Sequence, residues 1–180
     1  MRLLVRLSLI GLVALVAIGF VINQSMKSVE KKQAAKQVIV TDGTCTESGV
    51  SLTVNFGTKA QLREINRCVS NFDSTSWDLL TVGHLNVEGT QKYPVGFVCR
   101  LNNFPSKKEE PCQDTPSARV GSWAYFVSLP GSNSWQYSTW GASTHKPSCG
   151  SAEAWIFRYP EENLEIPPTV KPQTSVCLSE

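Results

Sequence analysis

Two histidines, six cysteines and five tryptophans carry most of the chemistry this chain can offer. His145 lies just before Cys149, and a cysteine beside a histidine is the arrangement of a thiol nucleophile. That reading needs a free thiolate. The cysteines argue against one. They stand at 45, 68, 99, 112, 149 and 177, an even set with no CxxC and no metal-like spacing. Such a set reads as three disulfides formed in an oxidising compartment, the alternative being free, buried thiols. Cys99 and Cys112 enclose a short polar loop rich in Lys, Glu and Pro and are the first expected pair. Cys45 with Cys68 would staple two neighbouring strands, and Cys149 with Cys177 would pin the tail. His84 falls in a segment with helical spacing and reads as a packed residue, whereas His145 sits in a loop. There is no glycine-rich phosphate loop, no GxSxG and no HExxH, and the carboxylates form no cluster by spacing. No catalytic residue and no metal site is expected.

The aromatic residues offer a different chemistry. Residues 123–141 read WAYFVSLPGSNSWQYSTWG, with three tryptophans, two tyrosines and no charge. Between Val120 and Phe157 the only charged side chains are Lys146 and Glu153. Rings flanked by Ser, Thr, Asn and Gln suit a neutral, flat or sugar-like ligand, because rings give area at low entropy cost and amides give direction. A cross-strand aromatic ladder that only stabilises a sheet explains the same composition. Strand parity separates the two roles. Trp123, Tyr125, Val127 and Leu129 share a face, assigned to the core against Trp77 and Leu80. The opposite face would then show rings to solvent. Trp140, opposite in parity to Trp135 and Tyr137, is expected to be partly exposed and to belong to a ligand surface with Trp135 and His145 at its rim. Trp155 is placed near the same sheet without a face.

The elements that must hold these residues follow from local patterns. Residues 50–56 (VSLTVNF) alternate as a half-buried strand does, and 67–69 could be a second. Residues 74–80 (STSWDLL) carry a hydroxyl cap and an acid in the first turn, a helix start that Gly83 would end. Strands are also expected at 85–88, 96–101, 123–129, 135–139 and 154–158. The turn cluster Pro130-Gly131-Ser132-Asn133 makes a hairpin of the third and fourth of these. The fold class is therefore α+β, a small mostly antiparallel sheet with one short helix.

The ends are less regular. Arg2 and Arg6 flank an apolar run, and residues 7–26 carry no charge. Twenty helical residues span about 30 Å, enough for a bilayer core. Residues 1–26 are read as an uncleaved transmembrane anchor with a cytoplasmic N-terminus, a cleaved signal peptide being the alternative. Residues 27–44 read as a polar spacer, 45–159 as the folded domain, and 160–180, with four prolines, as an extended tail. The 17 Lys+Arg and 15 Asp+Glu leave no net charge once Arg2 and Arg6 are set aside. A neutral domain lacks the field that collects phosphates, so no nucleic-acid partner is expected.

The residues Gly96-Phe97-Val98-Cys99-Arg100-Leu101-Asn102-Asn103, Ser122-Trp123-Ala124-Tyr125-Phe126, Gly141-Ala142 and Glu153-Ala154-Trp155-Ile156-Phe157 resemble the transcobalamin C-terminal-like domain. The pattern Val98-Cys99-Arg100, Pro105, Cys112, Thr115-Pro116, Trp123 and Tyr125, Trp135-Gln136-Tyr137-Ser138, Gly141 also resembles secreted or membrane-anchored actinobacterial proteins, some encoded near energy-coupling-factor vitamin transporters. The resemblance covers about residues 45–159. It implies a β-grasp-like domain that binds a cobalamin-like or other vitamin-like ligand outside the cell, with a vitamin transporter as partner. Asn103 stands where that pattern has a turn glycine, and the chain lacks the helical domain on which transcobalamins close this lid. The competing expectation is a cell-envelope domain that binds glycan or protein and no small ligand.

Overall fold

The computed structural model describes residues 37–115, 119–175 and 177. The apolar N-terminal segment read as an anchor lies outside them. Among the described residues no helix is long and apolar enough to cross a membrane. The described elements are β1 (Ile39–Asp42), β2 (Val50–Asn55), β3 (Ile65–Ser70), α1 (Ser76–Val82), β4 (Val87–Glu88), β5 (Arg100–Leu101), β6 (Ser122–Ser128), β7 (Gln136–Tyr137) and β8 (Ala152–Arg158). Six strands form one sheet in the order β1-β3-β2-β8-β6-β7, while β4 and β5 make a separate ribbon. The pair β2·β8 is parallel and the other pairs are antiparallel. This is the expected α+β architecture.

Parity along β2 sets the two faces of the sheet. Val50, Leu52 and Val54 point into the main core with Leu79 and Leu80 of α1. Trp123, Tyr125 and Val127 of β6 and Trp155 and Phe157 of β8 join them, which settles the face of Trp155. Helix α1 begins as its sequence prescribes. Thr75 caps it, Asp78 completes a capping box, and Gly83 closes it with an N–H to the Leu79 carbonyl. Each end thus satisfies backbone groups that a short helix leaves open.

Several expectations are corrected. The sheet begins before Cys45: β1 lies inside the segment read as spacer and pairs with β3. His84 does not pack inside the helix. It stands exposed just past the Gly83 cap with φ 63°, where the chain must reverse. Leu129 does not continue the core face of β6. The strand ends at Ser128, Gly131 turns the chain at φ 73°, and Leu129 is exposed. Residues 96–99 are not strand, so the expected strand 96–101 shrinks to Arg100–Leu101. Most consequential, the second face of the sheet is not open. Phe126 is fully buried there, clustered with Ala124, Ala154 and Ile156, and Trp135 packs against them.

The six cysteines are all bonded, as Cys45–Cys68, Cys99–Cys112 and Cys149–Cys177, with Cα separations of 4.7, 5.9 and 5.8 Å. These lie within the ordinary disulfide range. Closing loops of this size stabilises a fold by roughly 3 kcal/mol each in the chain-entropy account. A set of three points to an oxidising, extracytoplasmic setting.

Candidate functional site

On the helix side of the sheet, four polar side chains meet in an otherwise apolar core. Ser76, the first helical residue of α1, is fully buried. Its amide donates to the His145 carbonyl at 2.9 Å, and the Trp77 amide donates to the Ala142 carbonyl at 2.9 Å. The loop 141–145 therefore supplies acceptors to the free N–H groups of the first turn. Docking it there carries the imidazole of His145 beneath the helix. His145 Nδ1 lies 2.7 Å from Tyr125 Oη, 2.9 Å from Glu153 Oε1 and 3.1 Å from Ser76 Oγ. Glu153 Oε1 also accepts from Ser76 Oγ at 2.6 Å and from Tyr125 Oη at 2.7 Å.

Glu153 is fully buried, and its only hydrogen-bonded oxygen among the described residues is Oε1, since Oε2 has no partner. A buried carboxylate needs donors, and three converge on that one atom. Burial, reinforced by the Glu153 charge, raises the Tyr125 phenol well above its ordinary value, so Tyr125 remains a donor. Tyr125 and Ser76 both give their protons to Glu153. The short contact between Nδ1 and the carboxylate then places an imidazole proton on Nδ1. A serine nucleophile would require the opposite wiring, with the hydroxyl on Nε2 and the carboxylate on Nδ1. Here both meet Nδ1, and Ser76 has no access to solvent. The four residues form a knot that fixes loop, helix and sheet.

The knot also presents an aromatic platform. Trp140 stacks on His145 with ring centroids 5.0 Å apart and planes 5° from parallel, and Trp140 is 52% exposed. Trp140 and His145 are thus brought together, as expected. Trp135 is not with them, because it lies on the other face of the sheet.

That other face holds a groove of about 560 Å³. Its floor is the solvent-side parity of the strands: Ser51, Thr53 and Asn55 of β2, Asn66 of β3, and Ala152, Ile156 and Arg158 of β8. Trp135 forms one wall, and residues 166–171 of the tail form another. The polar floor is ordered by its own bonds. Thr53 Oγ1 donates to Asn66 Oδ1 at 2.7 Å, Asn55 Nδ2 to Glu64 Oε2 at 2.8 Å, and Asn66 Nδ2 to Glu64 Oε1 at 3.1 Å. Arg158 Nε is buried and makes no hydrogen bond among the described residues. The lining mixes hydroxyl and amide side chains with apolar ones, and Glu64, Arg158 and Lys171 are its charged members.

Trp135 stands in this groove, whose signal in the sequence is the run of polar positions in VSLTVNF. Glu153, the lone carboxylate of an apolar strand, was a comparable signal for the knot. No protein-family model, no curated protein and no solved structure matches the chain.

Proposed function

We propose that this chain is an extracytoplasmic binding domain, held at the membrane by its N-terminal segment, and that the groove on the tail side takes a small, uncharged, polyhydroxylated ligand such as a glycan fragment. The groove carries this reading. Its volume of about 560 Å³ lies within the range of small-molecule sites. Its floor of ordered Ser, Thr and Asn side chains offers donors and acceptors, and the indole of Trp135 supplies an apolar wall. The strand order agrees with a β-grasp core. The pairing β3-β2-β8-β6-β7 sets its first and last strands side by side and parallel at the centre, with α1 across one face, and β1 is an added edge strand.

A second reading, capture of a cobalamin-like ligand for a vitamin transporter, is favoured by the Trp140–His145 platform, which exposes a flat indole stacked on a histidine. One experiment separates the two. The full-length chain in detergent micelles is titrated with neutral oligosaccharides and with cobalamins, following tryptophan fluorescence and calorimetry, together with Thr53→Val and Trp140→Ala. Oligosaccharide binding weakened by Thr53→Val and untouched by Trp140→Ala supports the groove. Cobalamin binding lost in Trp140→Ala supports the platform instead. Absence of any oligosaccharide binding at millimolar concentration refutes the first reading.

A further inference from the structure

The tail that walls the groove is held in an unusual way. Residues 160–175 contain no helix or strand, and Pro167, Pro168 and Pro172 lack the N–H that a sheet ladder requires. Pro172 is buried, but Ile166 is 54% and Val170 64% exposed, so those two side chains bring little apolar attraction. What secures it is a handful of separate bonds. Arg158 Nη2 donates to the Ile166 carbonyl at 2.6 Å, Trp135 Nε1 to the Val170 carbonyl at 2.8 Å, and Thr174 Oγ1 to the Ser132 carbonyl at 2.9 Å. The Ser175 amide donates to the Gly150 carbonyl at 3.1 Å. Beyond these stands one covalent bond, Cys149–Cys177.

The three disulfides differ in access. Cys99 and Cys112 are 1% and 2% exposed, and Cys45 is also buried. Cys149 is exposed and Cys177 half-buried. Cys68, the partner of Cys45, is half-buried. Thiol–disulfide exchange begins with attack of a thiolate on an accessible sulfur, so Cys149–Cys177, which alone of the three pairs has an exposed cysteine, is the most open to an incoming thiolate.

We propose that residues 166–175 are a releasable strap over the ligand groove, locked by Cys149–Cys177 and freed by a dithiol reductant. This rests on the reading of the groove as the binding site and adds its regulation. In the step, a thiolate of the dithiol attacks the exposed Cys149 sulfur and Cys177 leaves as thiolate. The second thiol of the dithiol then displaces Cys149. Two electrons pass to the protein cystine, which takes up two protons to become two thiols, and the dithiol becomes a disulfide. Released, the strap uncovers Trp135 and the floor of β2 and β8 while Cys45–Cys68 and Cys99–Cys112 keep the sheet intact.

The test uses the full-length chain with dithiothreitol as the reductant. Differential alkylation and mass spectrometry should label Cys149 and Cys177 at reductant concentrations at least tenfold below those that label the other four cysteines. At that point the Ser175 amide should lose hydrogen-exchange protection and the strands should keep theirs. The double substitution Cys149→Ser with Cys177→Ser should show the same loss without reductant, and should change the affinity for an oligosaccharide that binds the intact chain at least tenfold. Reduction of all three bonds together, or a strap that stays protected once its bond is open, overturns the proposal. The labelling and exchange arms need no ligand, so they stand or fall separately from the groove's function, and the reductant arm holds even where the double variant fails to fold.

Discussion

Replacing Trp123 by alanine tests how the aromatic stretch divides its work. Trp123 is 8% exposed and sits among Phe56, Phe104 and Phe157, with ring centroids at 5.7, 6.3 and 5.4 Å, each edge-to-face. Truncating a tryptophan in such a place removes its burial and leaves a cavity, a cost of about 3–5 kcal/mol. One feature of the site lowers that figure. Trp123 Nε1 is buried without a hydrogen-bond partner among the described residues, so truncation also removes a desolvated donor whose burial is unfavourable by about 1–3 kcal/mol. The net loss is therefore placed near the bottom of the range, about 3 kcal/mol, or a fall in Tm of roughly 10 °C for a domain of this size. Trp140→Ala is the control. With half its surface in solvent and one stacked neighbour in His145, it should cost less than about 1 kcal/mol. Thermal unfolding of both variants by circular dichroism decides the matter. Equal losses would show that Trp140 is as much a part of the core as Trp123 and would remove the platform as a binding surface.

Glu153→Leu should destabilise the domain by about 3–5 kcal/mol, because Ser76, Tyr125 and His145 lose the acceptor they share in a dry core, whereas Glu153→Gln, which keeps an acceptor oxygen, should cost clearly less; chemical denaturation measures both. Asp78 supplies a pH test. The hydroxyl of Ser74, then that of Thr75, donates to its carboxylate and holds its pKa below the ordinary value. A depressed native pKa adds stability above the unfolded value, near 4, and that stability is lost as pH falls below it. Asp78→Asn should therefore flatten the loss of stability between about pH 4 and pH 2, and an unchanged acid profile would show that other carboxylates govern it.

Much of the fold was legible because it rests on local rules. The alternation in β2, the Thr75–Asp78 cap, the Pro130-Gly131 turn and the loop between Cys99 and Cys112 each act over a few residues. Strand β1 was legible in principle, since Val38-Ile39-Val40-Thr41 is a β-branched run, but its Lys- and Gln-rich approach drew the whole segment into the spacer. The burial of both faces of β6 was not legible, because parity puts Trp135 and Tyr137 on the face of Phe126 but does not say whether those rings close over it or stand in solvent. The candidate site divides in the same way. Parity gave Trp123 and Tyr125 their face and Trp140 its exposure. The approach of His145 to Ser76, and of the tail to β2, depends on long-range topology that no local pattern encodes.

The parallel pairing of β2 with β8 has a consequence for how the molecule comes into being. β2 meets β3 soon after both are made, but its other edge waits for the strand that sets Ala152 opposite Ser51. A chain delivered N-terminus first across a membrane therefore holds an open central strand, with Val50, Leu52 and Val54 uncovered, until nearly all of it has arrived. Contacts so distant in sequence make for slow folding and exposure to aggregation. Cys45 and Cys68 can meet in that waiting state, bracing the early hairpin. Cys149 has its native partner only once Cys177 has followed it, so that bond closes last, and a chain truncated before β8 should keep its hairpin braced and its core unmade.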